Sequence, residues 1–134
     1  MIGSLLPLSL AAAVQPQPDA IETRLSNPRI IMLFAPARDD ARLRQQQAML
    51  RDARAALSER DVHVIEVIGD TVAGAHDYAA ALRQRYSVPS RAFGILLIGR
   101  DGGVKLRAED IVAVERLNRT IDAMPMRRRE MRVE

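Results

Sequence analysis

Apolar and polar positions divide the chain between Asn27 and Met126 into short apolar runs and longer stretches with helical spacing. Arg29 to Phe34, RIIMLF, is apolar without alternation, the pattern of a strand buried on both faces. Pro36 stops that strand, and Asp39 and Asp40 fall where a carboxylate caps a helix and meets the positive end of its dipole. The helix that follows runs to about Glu59, with Leu43, Leu50, Ala53 and Leu57 as its buried stripe and Arg42, Arg44, Arg51, Asp52 and Arg54 elsewhere. Val62 to Ile68, VHVIEVI, is the second strand, with His63 and Glu66 on opposite faces because their separation is odd. Joined to the first strand by a helix, it lies parallel to it through a right-handed crossover. Tyr78, Leu82 and Tyr86 recur every four residues and predict one face of a second helix that Pro89 ends. FGILLIG is the third strand, and the turn Arg100-Asp101-Gly102-Gly103 sends Val104 to Arg107 back as an antiparallel fourth. A last helix, from Glu109 or Asp110 to Ala123, carries Ile111, Val114, Leu117, Ile121 and Met124 on one side, and Pro125 ends it.

The resulting order, β-α-β-α-β-β-α, predicts an α/β domain with a four-stranded mixed sheet, its third strand antiparallel, and helices on both faces. It resembles the minimal thioredoxin fold. A flavodoxin-like sheet needs further parallel strands that 134 residues do not supply. In a redox thioredoxin the loop after the first strand carries Cys-x-x-Cys, which aligns here near Arg38-Asp39-Asp40-Ala41, and the chain has no cysteine. Without a thiolate there is neither disulfide exchange nor peroxide reduction by sulfur, so both activities are excluded. The proline that clamps substrate in that fold would fall near Phe93 or Gly94, whereas Pro89 comes several residues early.

Composition changes this picture in two places. The formal charge of +3 points toward nucleic acid, but the last eight residues, 127–134, hold four arginines and two glutamates and supply +2 of it. The body is therefore near neutral, and with two Phe, two Tyr and no Trp there is no stacking platform beside a basic stripe. Nucleic acid is not the expected partner. The first fourteen residues, MIGSLLPLSLAAAV, carry no charged side chain and end in small residues, with an A-x-A-like site at Ala11 to Ala13. That is the pattern of an export signal, too short for an ordinary membrane span, although only the amino terminus supplies positive charge before the apolar run. It implies a periplasmic or extracellular protein, and a cytoplasmic one if the segment is not a signal. Residues 15–26 then form a polar, proline-spaced linker, 27–126 the domain, and 127–134 a basic tail.

Three segments, MLFAPARDDARLRQQ, LLIGRDGGVKLR and IDAMPMRRREMR, resemble domain of unknown function 4174 over about Arg29 to Arg132. The string Asp122-Ala123-Met124-Pro125-Met126-Arg127 is the most specific of them, since nothing in generic thioredoxin architecture requires it. Related domains occur in sushi-repeat-containing protein SRPX and coiled-coil domain-containing protein 80. The resemblance implies a thioredoxin-like fold in exported or extracellular settings and implies no activity.

Two regions are candidate sites. The loops Ala35 to Asp40, Gly69 to His76 and Ser87 to Phe93 converge on one sheet edge and gather Arg38, Asp39, Asp40, Asp70, His76, Asp77 and Arg91. His76 with Asp39 or Asp70 has the donor chemistry for a divalent ion or for proton transfer, but no H-x-H, H-E-x-x-H or EF-hand spacing supports it. Arg38 at the helix N-terminus would favour an anion, which Asp39 and Asp40 oppose. Glu66, inside an apolar strand, needs a partner and is more simply structural than catalytic. The second region is the tail, where Met124, Met126 and Met131 offer adaptable apolar contacts beside Arg127, Arg128 and Arg129. Against an anionic membrane each arginine contributes about 1 kcal/mol, partly offset by Glu130 and Glu134. The expected function is thus an exported, non-redox binding domain acting through protein or cell-envelope contacts, with no catalytic residue, cofactor or metal. The alternative is a cysteine-independent enzyme, or a small-ligand or metal-binding protein, using Arg38, Asp39, Asp70 and His76.

Overall fold

The computed structural model describes residues 27–133. The export signal and linker read in residues 1–26 lie outside them. In chain order the elements are β1 (Arg29–Ala35), α1 (Ala41–Asp52), α2 (Arg54–Glu59), β2 (Val62–Ile68) and β3 (Thr71–Ala73). They continue with α3 (Ala79–Tyr86), β4 (Gly94–Ile98), β5 (Val104–Ala108), α4 (Val114–Asp122) and α5 (Pro125–Val133). The strands form one mixed sheet in the order β3-β2-β1-β4-β5. β1 and β2 are parallel, as the intervening helices require, and β4 runs antiparallel to β1 and to β5.

The sheet has five strands, not four. β3 folds back on β2 through Gly69 and Asp70, and Gly69 takes φ +57, the conformation a two-residue hairpin favours at its first central position. Thr71-Val72-Ala73 is too short to show alternation, and it pairs only with Glu66, Val67 and Ile68. Beyond it Gly74, at φ +95, passes so close to β2 that a Cβ there would sit 2.8 Å from the Val64 carbonyl oxygen.

Alternation along the strands divides the core into two layers. Ile31, Leu33 and Ala35 of β1, with Ile95 and Leu97 of β4, pack against Leu43, Leu50 and Leu57 of α1 and α2 and against Leu117 and Ile121 of α4. Met32 and Phe34, with Leu96 and Ile98, pack on the other face against Ala79 and Leu82 of α3. Helices cover both faces.

Asp40 is the N-cap of α1, its Oδ1 accepting from the Leu43 amide at 3.1 Å. Gln46, fully buried, then acts as a side-chain strand: its Nε2 donates to the Val112 carbonyl at 3.0 Å and its Oε1 accepts from the Val112 amide at 2.8 Å. Holding both backbone groups of Val112 keeps that residue out of a helix. Consequently the last predicted helix begins at Val114 and not at Glu109 or Asp110. Tyr78, expected on the buried stripe of α3, is instead its extended N-cap residue and 83% exposed. Pro125 ends α4 but opens α5 at the first helical position, where its missing N–H has no intrahelical acceptor to lose.

Candidate functional site

At the loop edge, Asp40 is committed to the cap, while Arg38, Asp39, Asp70 and His76 are all exposed. No hydrogen bond or ion pair among the described residues joins any two of those four. Nor does any group of three or more His, Asp or Glu among the described residues have the geometry to hold a metal ion. The residue that organises this edge is Arg83 of α3, which the sequence does not single out. It is buried and donates to the Gly69 carbonyl at 2.7 Å and the Ala35 carbonyl at 3.2 Å, tying the hairpin to the end of β1.

The opposite end of the sheet holds a connected set of charges. Arg29, the first residue of β1, has a side chain only 1% exposed. It donates to the Arg60 carbonyl at 2.7 Å and reaches both oxygens of Glu130 on α5, at 3.3 and 3.1 Å. Arg100 joins Glu130 at 3.2 Å to Asp61 at 2.7 Å. Arg60 grips Asp122 through two nitrogens, at 3.0 and 2.9 Å. Arg127 completes the set, bonding Glu59 at 2.6 Å and Asp122 at 3.3 Å. Four arginines, 29, 60, 100 and 127, thus meet four carboxylates, 59, 61, 122 and 130, and the cluster is neutral.

The charges tune one another. A hydrogen bond from Arg60, then one from Arg127, holds the Asp122 carboxyl below the usual range against the opposing effect of burial. For Glu130 burial is the largest influence and acts upward, but the bonds and charges of Arg29 and Arg100 together outweigh it. The Glu59 carboxylate, again against burial, raises Arg127 above the ordinary arginine value.

The tail is therefore a packed helix at its inner side. Arg127 is buried in the chain's own ion pairs and Met126 is half-buried, whereas Arg128 and Arg129 are exposed. The most distinctive string of the sequence has a structural explanation, since Asp122, Arg127 and the nearby Glu130 are its ionic anchors. Nothing local in the sequence names their distant partners Arg60, Glu59 and Arg29, which lie 62, 68 and 101 residues away.

A groove of about 490 Å³ runs between the free part of β2 and the helices α1 and α2, walled by Leu50, Leu57, Val62 and Val64 and rimmed by Arg51 and Arg54. Glu66 stands at one end, half-buried, and accepts from Gln47 Nε2 at 2.9 Å. That contact gives Glu66 the partner its position requires.

The fold defines a mixed α/β domain. The chain belongs to the family described as Domain of unknown function (DUF4174), whose model matches residues 21–130 and so ends on the glutamate that faces Arg29. No curated protein matches the chain. A solved structure described as "Structure of a malarial protein" is similar, at 19% identity and a TM-score of 0.55, over 72% of this chain and 96% of that one. At that identity the likeness concerns the fold alone.

Proposed function

We propose that the chain is an exported, non-redox, thioredoxin-like domain that works by binding a protein or another cell-envelope component. One observation carries the reading: the strands β2-β1-β4-β5 have the order and directions of a minimal thioredoxin sheet, with the third in sequence antiparallel, on a chain without cysteine. β3 is an edge addition to that core. The position where a redox domain carries its first thiol is a helix-capping loop here, with Asp40 on the Leu43 amide. Export rests on the uncharged apolar run of residues 1–14.

Two experiments test the reading. Mass measurement of the mature protein from its native host should give an N-terminus near Ala13, and an intact Met1 refutes export. For binding, deleting α5 is a poor probe because it removes Arg127 and Glu130 from the ion-pair cluster. Cross-linking in the host envelope should instead compare the full chain with an Arg128→Ala/Arg129→Ala variant, both side chains being exposed. A defined cross-linked partner supports the reading, its loss in the variant locates it on α5, and a chain that cross-links to nothing refutes binding.

A further inference from the structure

β2 is an incompletely covered edge strand. Its odd residues turn their backbone groups toward β1, as the Gly69 amide on the Ala35 carbonyl and the Asp61 carbonyl on the Arg29 amide show on either side of it. Alternation then points the N–H and C=O of Val62, Val64, Glu66 and Ile68 the other way. β3 occupies Glu66 to Ile68 and stops, and no backbone hydrogen bond among the described residues reaches Val62 or Val64 from that side. The N–H and C=O of Val62 and the N–H of Val64 therefore stand unpaired along this side of β2, while the Val64 carbonyl faces Gly74. Gly74 marks where the covering ends, against the Val64 carbonyl.

The groove beside this edge gives it chemical character. Its floor is apolar, from Leu50, Leu57, Val62 and Val64, and suits the side chain of a strand laid along β2. Helical spacing puts Gln47, Arg51 and Arg54 on one stripe facing the groove. Both arginines are exposed, and neither makes an ion pair among the described residues, unlike the four arginines 29, 60, 100 and 127 of the neighbouring cluster. Because Gln47 meets Glu66 and α2 leads into Val62, Arg51 and Arg54 lie opposite the free stretch between those points. The acidic groups at its two ends are already engaged, Glu66 by Gln47 and Asp61 by Arg100.

We propose that this edge and groove bind an extended acidic peptide by strand addition, with backbone bonds to Val62 and to the Val64 N–H and a carboxylate facing Arg51 and Arg54. The proposal rests on the binding-domain reading and names its partner class. A second copy of the chain suits the edge less well, because two-fold pairing across β2 sets these arginines beside their own equivalents.

The test is an amide NMR titration of the full chain with a short peptide alternating glutamate and valine, and with its lysine and valine counterpart. The acidic peptide should shift the amides of Val62 and Val64 and bind at least about tenfold more tightly than the basic one. Val64→Pro, which removes one outward N–H from an edge position that tolerates proline, should weaken binding by about tenfold. Arg51→Glu with Arg54→Glu should reverse the preference, and this surface variant keeps the test decisive if Val64→Pro fails to fold. Equal binding of both peptides, shifts confined to another face, or a dimer whose formation silences the edge amides each overturns the proposal. Those results leave the binding-domain reading standing, whereas a chain without cross-linked partners in its host strikes that reading first and the proposal with it.

Discussion

Replacing Arg127 by methionine keeps most of the buried aliphatic stem and removes the charge that binds α5 to the rest of the domain. Two charge-assisted hydrogen bonds disappear, to Glu59 at 2.6 Å and to Asp122 at 3.3 Å. Fully buried, such bonds contribute about 1.5 to 3 kcal/mol each. Here Glu59 is 47% exposed and Asp122 33%, so water replaces part of what is lost, and about 1 kcal/mol apiece remains. Asp122 also keeps Arg60, and Glu130 keeps Arg29 and Arg100, so no carboxylate is stranded. The expected loss is about 2 kcal/mol in urea unfolding at neutral pH. A double-mutant cycle with Glu59→Gln should return a coupling of about 1 kcal/mol. Acid provides the second readout. Asp122 has a depressed folded pKa, partly through Arg127, so its contribution is complete above the unfolded pKa and is lost as pH falls through the folded one. Wild type should therefore lose stability below about pH 4, and Arg127→Met should lose less over the same range. A neutral-pH loss under about 0.5 kcal/mol, the range of ordinary surface substitutions, or an acid slope equal to wild type's would refute the structural role of this residue.

Three further substitutions probe the frame. Gln46→Leu leaves the Val112 amide and carbonyl without their partner in a buried place and should cost about 3 kcal/mol in urea unfolding. Asp40→Ala should cost about 1 kcal/mol through loss of the α1 cap, while Asp39→Ala changes stability by less than about 0.5 kcal/mol; equal effects would contradict the assignment of the cap. Gly74→Ala places a Cβ 2.8 Å from the Val64 carbonyl at φ +95 and should lower the melting temperature, by the equivalent of about 1 to 3 kcal/mol.

Local pattern carries much of this fold. β1 and β4 are continuous apolar runs because both faces of each are covered, and β5 follows from the turn that Gly102 permits at φ +84. The capping role near Asp40 is legible for the same reason, since donor and acceptor are three residues apart. β3 escapes because three residues carry no period, and its strand character comes from pairing with β2. Gln46 reads as a polar residue on a helix, and only the fold brings Val112 to it from 66 positions away. The tail is polar almost all round and so looks solvated, yet two of its partners, Arg29 and Glu59, lie 101 and 68 residues from it. Of the candidate residues, the sequence names Arg127 without its internal role and leaves Arg83 unmarked.

Arg29 and Glu130 stand 101 residues apart, and their meeting fastens the first strand to α5. Arg29 lies on β1, the central strand of the sheet, with its side chain 1% exposed, and its counter-charge among the described residues is Glu130 of α5. Losing α5 would leave that charge uncompensated inside the domain, so the central strand of the sheet and the helix at residues 125–133 stand or fall together.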